Sequence, residues 1–139
     1  MKETPHGLLL CDDLIFASRI TGTARALGLS LRCVKTLGDL LQFARQTPPR
    51  CVILDLNLPG LNIDELMQEF SARDRKPFTI GYGSHVDAAT LKKAREAGCD
   101  IVWPRSKFVE ELPTALPLWF DARESEVGGQ KSEVRSSDF

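Results

Sequence analysis

No unbroken apolar run in this 139-residue chain approaches the roughly 20 residues that a membrane-spanning helix needs. Neither sign of charge is in excess: 18 Lys and Arg stand against 19 Asp and Glu, a net charge of −1, so there is no basic footprint and nucleic acid is not an expected partner. Histidine is scarce, and His6 and His85 offer neither a metal pair nor a triad. The four cysteines, Cys11, Cys33, Cys51 and Cys99, show no C-x-x-C or metal-type spacing. Three of them lie in apolar, strand-like runs, as small buried thiols do in a reducing compartment, and the cytoplasm is the expected location. The opening MKETPHGLLLCDD has one lysine and a four-residue apolar run, which is not the pattern of a signal peptide.

What is present is ordinary for a globular chain: 42% hydrophobic and 27% charged residues, enough length for one domain with a full core. Apolar runs and helical spacing alternate along it. Strands are expected at Gly7–Cys11, Ser30–Val34, Cys51–Leu56, Phe78–Tyr82 and Ile101–Trp103. Between them, Leu14 to Leu27 has helical spacing closed by Gly28, and Thr36 can cap a helix that Pro48-Pro49 ends. Asn62 or Asp64 opens a third helix bearing Leu66, Met67 and Phe70, and Asp87 leads into AATLKKAREAG, which Gly98 closes. A last helix is expected over Val109–Phe120, starting late, kinked or split because of Pro113 and Pro117.

Strand–helix alternation at this spacing implies an α/β domain, a doubly wound five-stranded parallel sheet of flavodoxin-like order 2-1-3-4-5. The folded unit is expected over residues 1–120. The tail 121–139, DARESEVGGQKSEVRSSDF, is polar and expected to be disordered.

In such sheets ligands bind beyond the carboxyl ends of the strands. Asp12 and Asp13 follow the first strand and Asp55 ends the third, its neighbour in that order, so three carboxylates converge. Their mutual repulsion favours a cation, and an all-oxygen donor set points to Mg2+ and not to zinc. The plainer reading makes Asp12 and Asp13 helix N-terminal acids that complement the macrodipole, with Asp55 in a turn.

The combination LLLCDD, then VILDLNLPG, then AGCDIVWP resembles the receiver domain of bacterial two-component response regulators, from about Gly7 to Leu118. The resemblance implies that Asp55 accepts a phosphoryl group from a histidine kinase or phosphotransfer protein. It also implies that Mg2+ is held by Asp13, Asp55 and the backbone carbonyl of Asn57, with Asp12 acting through water. Two positions depart from the pattern. Counting back from Ala97-Gly98, the strand-four hydroxyl falls on Gly83, with Ser84 the next candidate; counting forward, the strand-five lysine falls on Arg105, with Lys107 two residues on. Arginine keeps the charge but is longer and planar. The strand-five aromatic position reads Val102 beside Trp103, and Tyr82 and Trp103 are expected as core or rim aromatics.

Other classes fit less well. An aspartate-based phosphatase needs a second acid where Asn57 stands, and a flavodoxin-like phosphate loop would be repelled by Asp12-Asp13. The expected role is a stand-alone, atypical receiver acting through protein contacts. It would be no enzyme beyond self-phosphorylation and dephosphorylation at Asp55. The alternative is a phosphorylation-independent pseudo-receiver that serves as an interaction module. Nothing after Leu118 is patterned like an effector domain, so output would pass to a downstream protein partner. The chain could equally be a relay intermediate or a receiver excised from a longer protein. The exposed basic face Lys92, Lys93 and Arg95 is a candidate contact surface, and a monomer or weak dimer is expected.

Overall fold

The computed structural model describes residues 5–125. Its elements run β1 (His6–Leu10), α1 (Leu14–Ala26), β2 (Ser30–Val34), α2 (Leu37–Gln46), β3 (Cys51–Asp55), α3 (Ile63–Ser71), β4 (Phe78–Gly83), α4 (Ala88–Ala97), β5 (Ile101–Pro104) and α5 (Arg105–Ser125). The five strands form one parallel sheet in the order β2-β1-β3-β4-β5, the expected architecture.

Strands in such a sheet are buried on both faces, which is why β1 and β3 read as continuous apolar runs. Successive side chains nonetheless serve different layers. Leu9, Ile53, Ile80, Tyr82 and Trp103 pack under α1 and α5. Leu8, Leu10, Val52, Leu54 and Val102 pack under α2, α3 and α4. Burying a Leu or Ile side chain contributes roughly 1.5–3 kcal/mol, so each of these rows pins the strand register firmly. At two glycines of the sheet a side chain would force its neighbours to shift. A Cβ on Gly7 would lie 2.9 Å from Cys51 Sγ, and one on Gly81 2.8 Å from Leu56 Cδ1.

The last element differs from expectation. A single helix runs through both prolines and starts at Arg105, directly after β5. Pro113 and Pro117 are spaced by four and so lie on one stripe, with Pro113 exposed and Pro117 half-buried. There, carbonyls that lose their partners can turn to water and the helix can curve around the core. The opposite stripe, Phe108, Leu112, Leu116 and Trp119, is buried and holds the helix together. The expected domain boundary at 120 therefore falls inside α5, and 126–139, most of the tail expected to be disordered, lies outside the described residues. All four cysteines are free thiols, Cys11 and Cys51 buried and Cys33 and Cys99 half-buried. Burial pushes the Cys99 thiol up to about 12. Among the described residues no helix is long and apolar enough to cross a membrane.

Candidate functional site at the carboxyl edge of the sheet

Asp55 ends β3, a strand buried at every residue, and is itself 6% exposed. The turn that follows is tied back by Leu58 N donating to Asp55 O at 3.1 Å, and Gly60 takes the positive φ of 82° that closes it. Burial raises the Asp55 pKa above the usual carboxylate range. The Asn57 N–H, which donates to Asp55 Oδ1 at 3.0 Å, and the Arg105 charge pull it down, while Asp12 and Asp13 push it up. Asp55 therefore feels the charge of both Asp12 and Asp13.

Asp12 and Asp13 sit in the turn between β1 and α1, and both are exposed. Asp13 is the N-cap of α1: its Oδ1 accepts from Ile15 N and Phe16 N, both at 3.1 Å. The helix-capping reading thus holds for Asp13. Asp12 faces a cavity of about 220 Å³ lined also by Lys35, Thr36, Leu58 and Pro59. No three His, Cys, Asp or Glu side chains among the described residues are gathered closely enough to form a metal cage. The three carboxylates expected to converge are thus not gathered into one cage; Mg2+, which keeps several waters, needs only one or two of them. Asp55 can use Oδ2 and Asp13 its second carboxylate oxygen, since the bonds above engage Oδ1 in each.

Gly83 is turned away from this group. A Cβ there would meet Asn57 Oδ1 at 3.2 Å and Leu91 Cδ2 at 3.3 Å, on the α3/α4 side of the sheet. Ser84 is engaged elsewhere: its N–H donates to Asn57 Oδ1 at 2.8 Å and its Oγ accepts from Val86 N at 3.3 Å. The strand-four residue paired with Asp55 is instead Tyr82. Counting from Gly98 missed it; the pairing of Asp55 with Tyr82 is what reveals it. Its ring stacks on Phe108 at 4.6 Å and leans on Phe16 at 5.2 Å.

Arg105 and Lys107 take different directions. The Arg105 guanidinium lies over the Phe16 ring at 4.3 Å and 5.8 Å from the Tyr82 ring centre, within reach of the Asp55 field. Lys107 turns to the Trp103 ring at 5.1 Å. Val102 packs on the α3/α4 side and Trp103 on the α1/α5 side.

One further group was not legible in the sequence. The Asn57 side chain accepts from Ser84 N and donates through Nδ2 to Asp87 Oδ2 at 3.0 Å. Asp87 in turn caps α4, accepting from Thr90 N at 3.3 Å, and its bonds with Thr90 and Asn57 hold its pKa low. A chain of hydrogen bonds therefore joins Asp55 to the start of α4 through Asn57. Residues 30 apart in sequence meet here only because β3 and β4 are neighbours.

No family model and no curated protein sequence matches the chain. Solved structures do. A response regulator receiver protein from Burkholderia phymatum superposes with a TM-score of 0.70 at 22% identity, over 84% of this chain and 95% of that one. A CheY-like receiver domain protein from Methanospirillum hungatei gives 0.75 at 17%, over 89% and 99%. The chain has the receiver fold. The receiver domain of NtrX from Brucella abortus gives 0.69 at 18%, over 83% and 98%. Asp12 and Asp13 follow β1 and Asp55 ends β3, so all three lie along the carboxyl edge of two adjacent strands.

Proposed function

We propose that this chain is an atypical response-regulator receiver that accepts a phosphoryl group on Asp55 and passes the signal on by protein contact. The observation that carries the reading is a buried carboxylate at the end of β3, inside the receiver fold, whose pKa is raised by burial and by Asp12 and Asp13. A carboxylate so placed gains from any cation brought to that edge, and its raised basicity favours attack on an electrophile.

In the proposed step an Asp55 oxygen attacks phosphorus in line. The new P–O bond forms as the bond to the donor breaks, and the donor leaves with the electron pair: acetate from acetyl phosphate, or imidazole nitrogen from a phosphohistidine. Attack of water on the phosphorus of the acyl phosphate then breaks the P–O bond to Asp55, releasing inorganic phosphate and restoring the carboxylate. Mg2+, held by Asp13, Asp55 and the Asn57 carbonyl with Asp12 through water, would offset the charge on the transferring group. Arg105 is the charge partner supplied by the chain, from the first residue of α5. The role is signalling, with self-phosphorylation and dephosphorylation as its only chemistry. A histidine kinase or phosphotransfer protein is the upstream partner, a further protein the downstream one, and the free thiols suit a cytoplasmic address.

A second reading has an observation of its own. Arg105 is seated over Phe16 and not in an ion pair with Asp55, and Gly83 brings no hydroxyl. That arrangement suits a phosphorylation-independent interaction module. Intact-mass spectrometry after incubation with acetyl phosphate and Mg2+, with Asp55→Asn as the control, separates the two. A phosphoryl adduct that the variant lacks supports the receiver; no adduct, with no Mg2+-dependent change in tryptophan fluorescence, supports the module.

A further inference from the structure

Tyr82 is the sole tyrosine of the chain, it is 0% exposed, and its Oη has no hydrogen-bond partner among the described residues. A buried hydroxyl left unpaired has given up its hydration without return, and native structures rarely leave one so without a use for it. Its surroundings indicate the use. β3 and β4 pair Asp55 with Tyr82, and β1 and β3 pair Leu10 with Leu54, so one step further along Cys11 stands beside Asp55. Cys11 is the first residue after β1, so continuing the β1–β3 register by one step gives the row Cys11, Asp55, Tyr82 with Asp55 in the middle.

Both outer neighbours act on the phenol: after burial itself, the Cys11 thiol and the Asp55 charge raise its pKa. The Tyr82 ring packs between Phe108 of α5 and Phe16 of α1, on the face of the sheet that Cys11 shares and that alternation from Ile53 gives to Asp55. The Cys11 thiol is near enough to act on the phenol as a hydrogen-bond partner but lies outside good geometry, and as a weak acceptor it yields the hydroxyl to a stronger one. The ring itself is held between Phe108 and Phe16, with Arg105 above, so the hydroxyl is positioned by packing.

We infer that Tyr82 Oη is the hydrogen-bond donor to a phosphoryl oxygen carried on Asp55. The inference rests on the reading of Asp55 as phosphoacceptor. It assigns to a phenol from the residue paired with Asp55 the contact that Gly83, facing the other side of the sheet, cannot make. Tyr82 keeps its proton throughout: burial and the neighbouring negative charge oppose its ionisation, so it donates and takes no part in the bond exchange. The orphan hydroxyl of the resting protein is then satisfied when the group arrives, and the adduct is stabilised accordingly.

Because the chain has one tyrosine, ultraviolet resonance Raman reads Tyr82 alone in the wild-type protein. The full chain is measured with and without acetyl phosphate and Mg2+, while intact mass follows adduct formation in wild type and in Tyr82→Phe. The expected result is a tyrosine signature that moves from unbonded to hydrogen-bond donor as the adduct accumulates. Adduct formation in Tyr82→Phe should be slower by roughly tenfold, the loss of one donor to a charged group. An adduct on Asp55 with an unmoved tyrosine signature overturns the assignment and leaves the phosphoacceptor reading standing. So does a Tyr82→Phe rate within twofold of wild type. No adduct in wild type overturns both together. A folding defect in the variant does not blur the outcome, since the wild-type Raman measurement decides by itself.

Discussion

Asp13 has two claims on it, and substitution can separate them. Its carboxylate caps α1 by accepting from Ile15 N and Phe16 N at 3.1 Å, and it is one of the acids proposed for Mg2+. Removing an N-cap acceptor costs about 0.5–2 kcal/mol. Here two bonds are lost, but both compete with water at an exposed position, so about 1 kcal/mol is the expected cost of Asp13→Ala. For a domain of this size that lowers Tm by roughly 3–4 °C. The loss reaches inward, because the first turn carries Phe16, whose ring supports Arg105 and leans on Tyr82. Asparagine caps about as well as aspartate, so Asp13→Asn should lose less than half as much. Both variants should weaken any Mg2+-dependent change in tryptophan fluorescence alike, since both remove the charge. Thermal denaturation by circular dichroism and a Mg2+ titration by fluorescence measure the two effects. Equal destabilisation in the Asn and Ala variants would refute the capping argument, and an unchanged Mg2+ response in both would remove Asp13 from the metal site.

Asp55→Asn tests the electrostatics without any metal. Burial raises the folded pKa above the unfolded one, so the native state holds this proton more firmly, and stability from the group is full at low pH and declines as pH rises through the folded value. The Asn variant should therefore melt above wild type at pH 7, with the gap closing below the ordinary carboxylate range near pH 4; an equal Tm at both pH values would contradict the raised pKa. Asn57→Ala should speed hydrogen exchange at the Ser84 and Thr90 amides by roughly tenfold while core strand amides hold, because the link from β3 to the α4 cap is cut. Gly81→Ala should cost about 1–3 kcal/mol in urea unfolding, since the new Cβ falls 2.8 Å from Leu56 Cδ1; a neutral result would mean Leu56 moves aside freely.

Some of this protein is set locally and could be read along the chain. Apolar runs that stop at Asp12 and Asp55, caps at Thr36, Asn62 and Asp87, and the left-handed Gly98 determined five strands, their helices and the edge at which the acids collect. Each of these signals acts over a few residues, so neighbouring sequence is enough. α5 escaped that logic: proline propensity is a local penalty of about 3 kcal/mol, and the buried stripe from Phe108 to Trp119 outweighs it through contacts with a sheet that lies elsewhere in the chain. The same holds for the second half of the site. Which strand-four side chain stands beside Asp55 depends on register across β3 and β4, and a shift of one residue exchanges Tyr82 for Gly83 and one face of the sheet for the other. Asn57 meeting Asp87, and Arg105 turning to Phe16 while Lys107 turns to Trp103, are contacts between distant segments that only the assembled sheet brings together.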